Sequence, residues 1–92
     1  MKQEQAIELG QRALIWLAGE PDALGAFLAA SGAGPADLRA RAADPEFLGF
    51  LLDFLLQSDA LVLAFARDAG APPDLPARAR AALPGGDLPN WT

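Results

Sequence analysis

The chain has 92 residues, 52% of them hydrophobic and 21% charged, and seven Lys and Arg against twelve Asp and Glu give a net charge of −5. It contains no cysteine, histidine or tyrosine. That excludes a disulfide scaffold, thiol chemistry and the Cys/His zinc sites of small domains, and it removes the commonest general base near neutral pH.

The apolar fraction is too high for disorder, and the length suits one domain spanning residues 1–92. The opening Met1-Lys2-Gln3-Glu4-Gln5 lacks a basic region followed by an apolar run, so no secretory signal is expected. The stretch from Phe47 to Ala66 carries Asp53, Gln57, Ser58 and Asp59 in its middle, which argues against a spanning helix. A cytoplasmic location is the expectation, with neither a membrane nor nucleic acid as partner, because the acidic balance repels both.

Glycine and proline clusters divide the chain into segments rich in Ala, Leu, Arg, Gln and Glu, all helix formers. β-branched residues are limited to Ile7, Ile15, Val62 and Thr92, and no segment alternates with period two. The fold class predicted is therefore all-α: a compact orthogonal bundle of five to six short helices over residues 1–83. A Pro/Gly-rich, non-helical tail over 84–92 packs on it.

A first helix is expected over Gln3 to Ala18, closed by Gly19 in the left-handed conformation. Ile7, Gly10, Leu14 and Leu17 share its buried face, and Glu8 and Arg12 are spaced to pair on the other. A second starts near Glu20-Pro21-Asp22 and stops at Gly32, with Leu24, Phe27 and Leu28 as its apolar stripe. The third, from Pro35 to Ala42, holds one anchor, Leu38. Asp44 and Pro45 are suited to open a fourth, reaching Gln57. Its apolar residues face nearly every direction except the row Glu46, Gly49, Asp53 and Gln57, the pattern of a helix enclosed by others. Ser58 or Asp59 caps a fifth, to about Ala69, which should form the core hairpin with the fourth. A sixth, over Asp74 to Leu83, turns Arg78 and Arg80 outward.

No catalytic constellation emerges. Ser31 and Ser58 sit at helix boundaries, where capping is their expected task, and no base is placed beside either. No cofactor and no metal site is expected, and the protein is read as a non-enzyme. Asp53 is the one acid between large apolar neighbours, and pairing with an arginine at the edge of the core is the favoured reading. The segment Gly32-Ala33-Gly34-Pro35 resembles the turn of a helix-hairpin-helix, in which backbone N–H groups hold a phosphate. Gly32, Gly34, Arg39 and Arg41 would form that site. Against it, Pro35 lacks an N–H and Asp37 places a negative charge in the first turn. The tail carries Leu88 and Trp91, a large apolar area near the chain end. Folding back over the bundle is preferred to docking on a partner or a second copy.

The Ala13-Leu14-Ile15-Trp16-Leu17-Ala18 run, Phe27-Leu28 followed by Ser31-Gly32, the stretch Leu38 to Phe47, the block Leu51-Leu52-Asp53-Phe54-Leu55-Leu56 and above all the ending Leu83-Pro84-Gly85-Gly86-Asp87-Leu88-Pro89-Asn90-Trp91 carry a resemblance. Over essentially its whole length the chain resembles the short bacterial family known as domain of unknown function 3572, seen chiefly in alphaproteobacteria. The resemblance implies an all-helical bacterial protein and transfers no catalytic residue. The residues themselves point to a module that binds an unidentified protein or its own copy, with Trp16, Asp53, Leu88 and Trp91 as contact candidates. Nucleic-acid or phosphate binding through Gly32 to Arg41 is the alternative.

Overall fold

The computed structural model describes residues 1–84. Six helices follow one another there: α1 (Gln3–Ala18), α2 (Pro21–Ser31), α3 (Pro35–Ala40), α4 (Pro45–Leu56), α5 (Asp59–Ala69) and α6 (Leu75–Ala81). No strand occurs among the described residues, and the fold is an all-α bundle. Pro21, Pro35 and Pro45 each begin a helix, where a missing N–H costs nothing because that donor would have no intrahelical partner. Asp44 Oδ1 accepts from the Glu46 N–H at 3.0 Å, and Ser58 Oγ from the Leu61 N–H at 3.2 Å, capping α4 and α5. Gly32 and Gly70 close α2 and α5 with φ of 72° and 67°, conformations that a Cβ would strain.

Gly19 behaves differently from expectation. Its φ is −92°, so α1 ends in a tight turn in which Gly19 and Glu20 donate to the Trp16 and Leu17 carbonyls. With only Gly19 and Glu20 between them, α1 and α2 meet at 117°, while α4 and α5 meet at 112°. These steep bends are what make the bundle orthogonal. Among the described residues, no single helix is long and apolar enough to cross a membrane.

The core is organised around α1, α4 and α6, not around an α4–α5 hairpin. α1 packs most extensively on α4 and α6, and α4 in turn on α6. α4 buries Phe47, Leu48, Gly49, Leu51, Leu52 and Leu55, whereas α5 buries only Phe65 and Ala66. The reason lies in two glycines. A Cβ on Gly10 would come within 3.0 Å of Leu48 Cβ, so the bare backbone of α1 lets α4 approach closely. At Gly49, a Cβ would meet Arg80 Nη1 at 2.8 Å. Gly49 is thus not part of a solvated face: α6 lies over it, and Arg80 turns inward, its side chain 18% exposed. Arg78 stays outside, 4.0 Å from Asp74. The third and sixth helices are also shorter than their compositions suggest, and Leu83, beyond the end of α6, is buried.

α2 is anchored by a single buried residue. Phe27 is fully enclosed and meets Phe47, Phe50 and Phe54 of α4 with ring centroids 5.4–5.8 Å apart. Two of these contacts are edge-on, the arrangement aromatic quadrupoles favour.

Candidate interaction surface

Trp16 stands on the flank of α1 that faces α5. Its ring meets Phe65 edge-on at 5.7 Å, and its Nε1–H donates to Asp68 Oδ2 at 2.8 Å. The indole N–H holds the Asp68 carboxyl below the usual aspartate range, against the opposing effect of desolvation and with help from the neighbouring Arg67. Arg12, expected to pair with Glu8, instead reaches across to donate to the Ala69 carbonyl at 3.0 Å. That carbonyl lies in the last turn of α5, where orphan acceptors and the negative end of the helix dipole attract a cation.

Arg12, Ile15, Trp16, Phe65, Asp68 and Ala69 surround a depression of about 260 Å³. Ile15 is 74% exposed beside it, the most exposed large apolar side chain among the described residues. A second depression, of about 420 Å³, lies between Glu20, Pro21, Asp22, Ala23 and Ala26 on one side and Phe54 and Leu61 on the other. Leu61, Phe65 and Asp68 follow one another at i, i+4 and i+7, so both depressions run along one face of α5. Glu20 and Asp22 border the second depression, while in the first Asp68, engaged by Trp16 and Arg67, lies with the Arg12 guanidinium among mainly apolar neighbours.

The other sequence candidates lie elsewhere. Asp53 accepts from Arg80 Nε at 2.7 Å, and Arg80 Nη1 donates to the Pro84 carbonyl at 3.0 Å. Asp53 is therefore engaged in fastening α6 to α4, on a different face from Trp16. Leu88 and Trp91 lie outside the described residues. In the turn between α2 and α3, Ser31 Oγ accepts from the Ala33 N–H at 3.1 Å, the local bond expected of a serine at a helix end. The Gly34 N–H donates to Asp37 Oδ2 at 2.9 Å. The donor a phosphate would have used is thus already taken by a carboxylate, and Pro35 supplies none. Arg41 stacks over the Phe47 ring at 5.9 Å, and Arg39 points to solvent. Among the described residues, no three His, Cys, Asp or Glu side chains come together as a metal ion requires.

Periodicity placed Trp16 beside the buried stripe of α1 but could not show its partners, since Phe65 and Asp68 follow 49 and 52 residues later. Ile15, Phe65, Asp68, Ala23 and Phe54 carry no signal in the sequence that joins them to Trp16. No curated protein and no solved structure matches the chain. A family model does, over residues 3–86, and the chain belongs to the family it describes, Protein of unknown function (DUF3572).

Proposed function

We propose that this protein is a non-enzymatic protein-binding module whose contact face is the groove along α5. The observation that carries this reading is the combination of a hydrogen-bonded tryptophan wall, a solvent-facing Ile15 and the Glu20 and Asp22 carboxylates beside a mainly apolar trough. Trp16 is already fixed by Phe65 and Asp68, so little rotamer entropy is lost when a partner packs on it. Rigid aromatic side chains at the centre of a patch commonly dominate interface energetics. Glu20 and Asp22, the acids beside the apolar α2–α4–α5 depression, favour an amphipathic helix presenting an apolar row flanked by lysine or arginine. Nothing in the turn around Gly34 supports the phosphate-binding alternative to the same degree, because its donor is spent on Asp37.

Ile15 is the residue on which to test this, since its exposure means that replacement does not disturb the core. A photo-crosslinking amino acid at position 12 or 19 of the full chain, expressed in its native cells, should yield a discrete adduct with a protein bearing a basic amphipathic helix. A synthetic peptide of that helix should bind the purified module, more weakly as salt rises, and Ile15→Glu should weaken it at least tenfold. Equal binding by the wild type and Ile15→Glu, or affinity indifferent to salt, would overturn the reading.

A further inference from the structure

α5 has a side that neither the core nor the groove uses. Phe65 and Ala66 are buried in the core, and Leu61, Phe65 and Asp68 line the groove. Away from both lies the row Asp59, Leu63 and Arg67, spaced at i, i+4 and i+8 along one ridge of the helix. Leu63 is 56% exposed, and the Arg67 side chain 77%. Asp59 is exposed as well, and none of the ion pairs among the described residues includes it. Among those residues Arg67 pairs only with its neighbour Asp68, Nε to Oδ1 at 3.5 Å, a contact too long and too solvated to hold the guanidinium in place. Ala60 and Ala64 beside the ridge are short, so a second helix can approach it closely.

One exposed leucine is ordinary on a protein surface, but this one is centred between opposite charges. The acid stands in the first turn of α5 and the base in the last, each where the helix dipole favours it. Four residues on either side of Leu63 amount to about 6 Å along the helix axis. Two such ridges laid antiparallel, with Leu63 on the twofold axis, therefore set Asp59 of each copy against Arg67 of the other. Parallel ridges would oppose acid to acid and base to base. The ridge is thus complementary to its own reverse, the condition for a closed twofold contact. We propose that the Asp59–Leu63–Arg67 ridge is a self-association surface whose occupant is α5 of a second copy, running antiparallel. Leucine meets leucine at the centre, and an Asp–Arg pair closes each end. A helix of 11 residues is only about 16 Å long, so the contact falls below the roughly 1,200 Å² at which stable interfaces begin. The dimer is accordingly weak, with a Kd on the order of 0.1 mM. The groove lies on the other flank of α5, and this surface stands whether or not the groove binds a partner.

Sedimentation equilibrium of the full chain over about 10 µM to 1 mM should resolve a monomer–dimer equilibrium. Leu63→Glu should weaken it at least tenfold with helicity unchanged, since the side chain is outside the core. Asp59→Lys and Arg67→Glu should each weaken it several-fold, because both end pairs become like-charged. Asp59→Lys should do so although it carries a smaller net charge than the parent. Mixed in equal amounts, these two variants should associate again, since the heterodimer regains an opposite-charge pair at each end. Ile15→Glu, in the groove, should leave the equilibrium unchanged, which separates this contact from binding there. A monomer at every concentration, a dimer as strong in Leu63→Glu as in the parent, one lost in Ile15→Glu, or a mixture that stays monomeric overturns the proposal.

Discussion

Trp16 is held at both of its polar and apolar ends, by the Asp68 carboxylate and by the edge of Phe65. A charged acceptor makes such a bond stronger than a neutral one, and it favours the ionised form of Asp68. The Asp68 pKa is accordingly lowered in the folded chain from its ordinary value of 3.8. The stabilisation is fully present above that ordinary value and disappears as pH falls through the lower folded value. Its window is thus strongly acid, and the contact is intact at neutral pH. Titration of the Asp68 side-chain carboxyl by NMR should give a midpoint below that of an unperturbed aspartate. In Trp16→Phe the midpoint should rise toward the ordinary value, because the largest cause of the lowering is gone. An unchanged midpoint would mean that the indole bond does not govern Asp68. The pair also separates two kinds of acid in this chain: Asp68 steadies a surface aromatic, whereas Asp53 engages Arg80 where α6 crosses α4.

At the scale of elements, glycine has opposite meanings in α1 and α2. Gly10 is buried where Leu48 Cβ, fixed to the α4 backbone, leaves only 3.0 Å for a further carbon. Gly25 is exposed, with nothing within 4 Å of its Cβ position. Gly10→Val should destabilise by about 1–3 kcal/mol through overpacking, and Gly25→Ala should stabilise by about 0.4–1 kcal/mol through helix propensity and a less flexible unfolded chain. Urea unfolding of both variants checks the contrast, and the same sign in both would refute it. The limits of the helices were legible beforehand because local chemistry sets them: Pro21 and Pro45 start helices, and Ser58 and Gly70 bound another. What packs on what was not legible. The row Glu46, Gly49, Asp53 and Gln57 reads as a wet face, yet Arg80 makes it a docking seam for α6, because a guanidinium can satisfy Asp53 while lying over a bare glycine. The groove escaped for the same reason: its walls come from four helices whose angles no periodicity encodes.

Over the whole molecule, burial is unevenly shared, and so must stability be. α1 and α4 each bury six residues, with α6 and Leu83 closing the same core. α2 buries Phe27 alone, and α3 buries none. Releasing α2 would expose one phenylalanine and part of its aromatic neighbours, whereas releasing α1 would open most of the core. Local opening of α2 and α3 should therefore require much less free energy than global unfolding. Native-state hydrogen exchange should find hydrogen-bonded amides at the centre of α2 exchanging at least about tenfold faster than those at the centres of α1 and α4. The α1 and α4 amides should share a single opening free energy that matches the global value from denaturant unfolding, since neither helix can leave without Leu48 losing its place against Gly10. Equal protection in α2 and α1 would show that the Phe27 cluster ties α2 into the same cooperative unit. The consequence for the groove is direct: its Ala23–Ala26 wall belongs to the loosest long helix, and its Trp16 wall to the firmest. A partner packing on Trp16 would meet a rigid surface at one end of the trough and one able to adjust at the other, and its binding should slow exchange in α2 more than in α1.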